Sequence, residues 1–178
     1  NPGTAPTHTL GLLLGDQLNP QHPWFGTLDA SVVYVLMEVR QETDYVLHHA
    51  QQILAIFAAM RAMARHLRAA GHRVRYVASD DASNRQSVTG NLAALVAHYG
   101  AARFEYQQPD EWRLDAQLRV WCAAQPYATQ AVDSAHFYTA RTDLAEQFKG
   151  RKLWLMEHFY RQMRQRHGVL MDSAGQPE

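Results

Sequence analysis

The sequence has one cysteine, no excess of charge of either sign and no long apolar run. Because Cys122 has no second cysteine to pair with, the chain forms no internal disulfide and no multi-thiolate zinc or iron–sulfur site. Seventeen Lys and Arg balance seventeen Asp and Glu, so no global field gathers a polyanion, which disfavours a free-standing nucleic-acid binder. No apolar run approaches the roughly 20 residues that span a bilayer. Without a signal peptide pattern either, we expect a cytoplasmic protein with no membrane partner.

Apolar β-branched segments alternate with amphipathic ones along the 178 residues. We predict five strands, at residues 10–14, 31–39, 73–78, 103–106 and, at the sheet edge, 128–133. We predict helices at residues 44–70 after an N-cap at Thr43, 88–99 after Ser87, 111–123, up to 148 after Thr142, and from 151 or 152 to 167. This alternation predicts an α/β fold with a parallel five-stranded sheet flanked by helices. The start at Asn1 and the end after a helical segment suggest a piece of a longer protein.

Polar residues follow the first two predicted strands. Residues 15–18 (GDQL) come after the first, and Glu38 lies at the end of the second. Because ligands bind at the carboxyl ends of parallel strands, we expect Asp16 and Glu38 to accept hydrogen bonds from ring N–H groups or hydroxyls of a ligand. One glycine and no lysine do not make a phosphate cradle. The alternative is that Asp16 forms an Asx-turn while Glu38 pairs with Arg40 or Arg73.

Other candidate sites are weaker. Of the two histidines that begin the long predicted helix, we assign a ligand contact to His49 and a solvated or packed position to His48, with an exposed helix position as the alternative for His49. The remaining histidines lack metal-ligand spacing, so we predict no metal site. No G-x-S-x-G elbow surrounds Ser79, Ser83 or Ser87, which argues against a hydrolase and predicts no catalytic residue.

Basic and aromatic residues are interleaved between positions 149 and 166. Such a mixture can bind single-stranded nucleic acid. Five apolar side chains nevertheless fall at helical spacing: Leu153, Met156, Phe159, Tyr160 and Met163. We therefore favour an apolar stripe that packs against a partner domain.

Several short phrases occur in order along nearly the whole chain. They are LGDQL (14–18), EV (38–39), YVLHH (45–49), IFAAMR (56–61), VRY (74–76), DDASN (80–84), PDEWR (109–113), GRK (150–152) and MEHFYRQMR (156–164). Together they resemble the N-terminal domain of the iron–sulfur bacterial cryptochromes and photolyases, also called deoxyribodipyrimidine photolyase-related proteins or prokaryotic (6-4) photolyases.

The resemblance implies a Rossmann-like antenna domain at residues 1–135 that binds 6,7-dimethyl-8-ribityllumazine. The residues that match the family at this cofactor pocket are Gly15, Asp16, Gln17, Leu18, Glu38, Val39, Tyr45 and His49. Residues 136–178 would form a helical connector toward a C-terminal domain outside this chain, which carries FAD, a 4Fe-4S cluster and most of the surface for damaged DNA. The full-length protein would perform light-driven DNA repair, and the fragment alone would be non-catalytic.

Two other functions fit the same sheet. The crevice at the strand ends could belong to a small enzyme that acts on a nucleotide-like ligand, because fold does not determine function. Turnover lost on Asp80→Ala or Asp81→Ala would indicate that enzyme. The chain could also be a structural docking domain with an empty pocket, which tight ligand retention would contradict.

Overall fold

The structure, a computed structural model, describes residues 6–176 of the chain. The chain divides into two compact units, of which the first extends to residue 134 and the second begins at residue 135. The boundary expected from the sequence, after residue 135, lies one position away. The functions assigned to the two parts remain predictions.

The first unit contains a five-stranded sheet in which all strands are parallel. The strands are β1 (Thr9–Leu12), β2 (Val32–Met37), β3 (Arg73–Val77), β4 (Arg103–Gln107) and β5 (Ala128–Val132). They lie in the order β3-β2-β1-β4-β5. The chain therefore adds strands on one side of β1 and then on the other, as in a Rossmann-like sheet. The predicted α/β class and parallel sheet are confirmed.

Six α-helices connect or follow the strands in the described part of the chain. They are α1 (Arg40–Thr43), α2 (Ala50–Ala69), α3 (Val88–Tyr99), α4 (Trp112–Ala123), α5 (Asp143–Gln147) and α6 (Met156–His167). Ser87 caps α3 as predicted, since its hydroxyl accepts a hydrogen bond from the Gly90 N–H. The helix ends at Gly100, whose φ of 61° lies in the left-handed region that favours glycine.

The long helix predicted from residue 44 begins later. Its N-cap is His49, whose ring accepts a hydrogen bond from the Gln51 N–H, so Ala50 is the first helical residue. Thr43 instead ends α1, and its hydroxyl donates to Asp44. The predicted start at residue 44 is therefore wrong: residues 44–49 form turns and irregular backbone, and the His49 ring supplies the cap of α2. With 20 residues, α2 is about 30 Å long.

Both faces of the sheet are covered. Helices α3 and α4 pack on one face against alternate strand residues that include Leu10, Leu12, Val33, Val35 and Phe104. Helix α2 packs on the other face through Met60, Met63, Ala64 and Leu67. Between β1 and β2 the chain forms a 3-10 helix, Pro23–Phe25, in place of an α-helix. There the Tyr34 hydroxyl donates to the Trp24 carbonyl at 2.7 Å, which attaches this segment to the sheet.

The second unit consists of α5, α6 and their connections. Thr142 precedes α5 without making a side-chain cap, and α6 begins at Met156 rather than at the predicted residue 151 or 152. Arg166 pairs with Asp143 at 2.7 Å, which links α6 to α5. Phe148 and Trp154 stack in the segment between the helices. Across residues 6–176, none of the helices combines the length and apolar character that crossing a bilayer requires.

Candidate functional site

A cavity of about 400 Å³ opens at the carboxyl ends of β1 and β2. Its walls come from the β1 end, the β2 end, α1, the segment between α1 and α2, the first half of α2, and the starts of α3 and α4. Apolar side chains form most of this wall: Leu13, Leu14, Met37, Val39, Ile53, Ile56, Phe57, Met60, Val88, Pro109 and Leu114. The polar groups are fewer: Asp16, Glu42, Thr43, Tyr45, His48, Gln52 and Glu111. Both the size and the lining are typical of a site for a small organic molecule.

Half of the residues expected at the pocket lie in its wall. Gly15, Asp16, Val39 and Tyr45 line the cavity. Gly15 has a steric role there, because a Cβ at this position would lie 2.9 Å from Cγ2 of Ile56. The close approach of the β1 end to α2 therefore requires glycine. The other four, Gln17, Leu18, Glu38 and His49, do not line the cavity.

Glu38 is not a lining residue, because its side chain reaches Arg61 on α2 and Tyr76 on β3. Its side chain is fully buried, and its carboxylate accepts two hydrogen bonds from Arg61, at 2.6 and 2.9 Å. The Tyr76 hydroxyl donates to the same carboxylate at 2.5 Å and the Ser79 N–H at 2.9 Å. The ion-pair partner is thus Arg61, and neither Arg40 nor Arg73, which the sequence suggested as the alternative.

The environment of Glu38 keeps its carboxylate ionised. Burial acts to raise its pKa, but the hydrogen bonds from Arg61, Tyr76 and Ser79 outweigh burial and lower the pKa to about 2. Burial and the bond to Glu38 together raise the pKa of Tyr76 above its usual range. Glu38 therefore acts as a charged connection between the β2 end, α2 and the β3 end.

The remaining residues outside the cavity have structural contacts. The buried Gln17 amide donates to the carbonyls of Gln107 and Gln108, at 3.1 and 3.2 Å, which connects the β1 turn to the end of β4. Leu18 packs beside the apolar cluster under α2. His49 caps α2, as described above. These contacts fix the backbone from which the lining residues project.

His48 lines the cavity, whereas the sequence favoured His49 as the ligand contact. Its Nε2 atom is buried and has no hydrogen-bond partner among the residues that the structure describes. The rings of His48 and Tyr45 meet edge to face with their centres 5.1 Å apart. An unpaired buried polar atom is costly, and a ligand in the cavity could supply the partner. The start of α2 at residue 50 was the missing information, because it determines which histidine faces inward.

Arg113 at the start of α4 connects three lining residues, although it does not line the cavity itself. Its guanidinium donates to Glu42 at 3.0 and 3.3 Å and to Glu111 at 3.1 Å. The same group lies over the Tyr45 ring, 4.4 Å from the ring centre. Partial burial acts to lower the pKa of Arg113, but Glu42 and then Glu111 outweigh it, so the net shift is upward. This network joins the α1 side of the cavity to the α4 side.

The cavity wall combines many apolar side chains with few polar groups. Asp81, a candidate in the enzymatic alternative, accepts hydrogen bonds from Ser83 and Arg75 in a local turn. Within the described part of the chain, no cluster of three or more histidine, cysteine, aspartate or glutamate side chains could coordinate a metal ion. The cavity is mostly apolar and has polar groups at a few positions in its wall.

Two sequence relationships connect the chain with known proteins. The deoxyribodipyrimidine photo-lyase-related protein family matches residues 11–178. A (6-4) photolyase from Agrobacterium fabrum is 36% identical over 164 residues, which is 92% of this chain. The chain spans 32% of the length of that relative. The resemblance stated from the sequence phrases is thereby confirmed.

Proposed function

The chain belongs to the deoxyribodipyrimidine photo-lyase-related protein family, and from this we propose that it is the light-harvesting domain of a flavin-dependent photolyase or cryptochrome. The observation that carries the proposal is the apolar cavity of about 400 Å³ at the strand ends. A chromophore bound there would absorb near-ultraviolet or violet light and pass the excitation to a flavin. The chain's own residues would bind and orient that chromophore and exclude water from it.

The cavity suits a planar heteroaromatic ligand with polar substituents, such as 6,7-dimethyl-8-ribityllumazine. Apolar walls from β1, β2 and α2 can cover the ring faces, with Ile56 and Phe57 on the α2 side. Asp16 and Tyr45 offer groups that can bond ring N–H or hydroxyl groups, and the Nε2 atom of His48 lacks a protein partner among the described residues.

We assign the eight residues expected at the site to two roles. Gly15, Asp16, Val39 and Tyr45 would contact the ligand directly, because they lie in the cavity wall. The other four, Gln17, Leu18, Glu38 and His49, would support the wall from behind through the contacts described above. In this proposal the fragment alone is not catalytic, and FAD, the 4Fe-4S cluster and the surface for damaged DNA belong to sequence outside this chain.

Ligand retention by paired tryptophan variants tests the proposal. Ile56 lines the cavity, whereas Leu54, two residues earlier on the same helix, is 71% exposed and does not. We expect the wild-type chain to retain 6,7-dimethyl-8-ribityllumazine after removal of free ligand. Ile56→Trp should lower the affinity at least about tenfold by filling the slot, a loss of about 1.4 kcal/mol.

Leu54→Trp is the matched control and should retain the ligand like the wild type. Retention is measured by lumazine absorption and fluorescence, with circular dichroism to check folding. Failure of the folded wild-type chain to retain lumazine would contradict the proposal and favour a docking domain with an empty pocket. Equal retention by the two tryptophan variants would place the ligand outside this cavity.

A further inference from the structure

Residues 44–49, which join α1 to α2, form one side of the cavity and have few packing contacts. The side chains of Val46 and Leu47 at the tip of this segment are exposed, and that of Leu47 is fully exposed. Exposed apolar side chains contribute little to the position of a segment, since they bury little surface. The position of residues 44–49 therefore depends on the few side chains that connect the segment to the rest of the unit.

Arg113 reaches across the cavity, and its contact within residues 44–49 is with Tyr45. It reaches Glu42 and Tyr45 on the α1 side while it also bonds Glu111 on its own side. All three partners line the cavity. A guanidinium is suited to this position, because its planar fork can pair with carboxylates and stack on an aromatic ring at the same time. Arg113 is also about one-third exposed, so solvent can compete for these contacts when the segment moves.

We infer that Arg113 is a positioning residue that latches residues 44–49 across the cavity and thereby slows release of the bound ligand. The inference rests on the proposed function for its effect on the ligand, whereas the latch itself is a property of the ligand-free chain. Opening would separate Tyr45 from the guanidinium and move Tyr45 and His48 away from the slot. Closing would place both aromatic rings against the ligand.

The experiment compares two variants of Arg113 with a control on the same helix. Arg113→Gln removes the charge and the fork, and Arg113→Lys keeps the charge but not the planar group. Arg119→Gln is the matched control, because Arg119 pairs only within α4 as far as the structure describes, with Asp115 at 3.1 Å. Amide hydrogen exchange is measured on each ligand-free 178-residue chain, and lumazine dissociation is followed by fluorescence after dilution.

We expect Arg113→Gln to speed exchange at residues 42–49 several-fold while the strands keep wild-type rates. Lumazine should leave this variant about tenfold faster than the wild type. For Arg113→Lys, both the exchange rate and the dissociation rate should lie between those of Arg113→Gln and the wild type. Arg119→Gln should match the wild type in both measurements. A purely structural role of Arg113 in α4 would instead change exchange throughout α4 and leave lumazine dissociation unaltered.

The two measurements separate the latch from the proposed function. Wild-type exchange at residues 42–49 in Arg113→Gln overturns the latch. Unchanged lumazine dissociation in that variant overturns its effect on the ligand, even if exchange is faster. If the wild-type chain retains no lumazine, the proposed function fails, and the exchange data alone then decide whether Arg113 fixes the segment.

Discussion

Replacing Glu38 with glutamine should destabilise the protein more than any surface charge change. Glutamine has nearly the same size, but its NH₂ group cannot accept the hydrogen bonds that Arg61, Tyr76 and the Ser79 N–H donate to the Glu38 carboxylate in the wild type. Arg61 is about half exposed and can turn to water, whereas Tyr76 and the Ser79 N–H lose a charged acceptor. A fall in the pKa of Glu38 from 4.5 to about 2 corresponds to about 3 kcal/mol of stability at neutral pH.

The sign of the pH dependence follows from the direction of that shift. Because the folded-state pKa is lowered, the Glu38 contribution is fully present above pH 4.5 and is lost as the pH falls toward 2. About 2 kcal/mol of it should be lost by pH 3. The free-energy difference between the wild type and Glu38→Gln is therefore largest near pH 7 and narrows in acid.

Urea unfolding at pH 7, 5 and 3 measures this difference. Glu105→Gln is the matched control, because Glu105 pairs with Arg103 on β4 at partly exposed positions. The free energy of unfolding of Glu105→Gln should lie less than about 1 kcal/mol below that of the wild type. The reasoning is refuted if Glu38→Gln costs no more than Glu105→Gln at pH 7, or if the gap between the wild type and Glu38→Gln is the same at pH 7 and pH 3.

Two smaller changes, with Thr142→Ala as a control for the second, test how the fold is built. Gly15→Ala places a Cβ 2.9 Å from Ile56 Cγ2; it should cost about 1 to 3 kcal/mol in urea unfolding and weaken lumazine retention, because α2 must shift. Normal stability together with normal retention would show that α2 has room for the methyl group. Ser87→Ala removes the cap on the Gly90 N–H and should cost about 1 kcal/mol. Thr142→Ala, where no side-chain cap exists, should change stability by less than about 0.5 kcal/mol, and an equal loss at both positions would contradict the capping argument.

The two central strands β1 and β2 were predictable because they are short, mostly apolar runs that end at turn residues, and the alternation of strands and helices predicted the rest of the sheet. The turn at residues 44–49 was not predictable, since Thr43 is also a suitable N-cap for a helix that begins at residue 44. In the structure the Thr43 hydroxyl donates a hydrogen bond to Asp44, and the His49 ring accepts one from the Gln51 N–H, so α2 begins after His49. Such local hydrogen bonds compete with helix formation on nearly equal terms, so residue type alone does not predict which one wins. The predicted helix start also placed His48 and His49 inside the helix, whereas the structure places both before its first residue.

The site shows how far strand position alone can predict a ligand contact. Glu38 was correctly placed at the end of β2, but successive residues of a strand face opposite sides of the sheet. Met37 and Val39 line the cavity, and Glu38 between them points to Arg61 on α2. Alternation predicts that these three residues divide between the faces; only the position of α2 determines which face receives the carboxylate. Arg61 lies 23 residues away in the chain, and a pairing of this range depends on the packing of α2, so the position of Glu38 in the sequence does not by itself predict it.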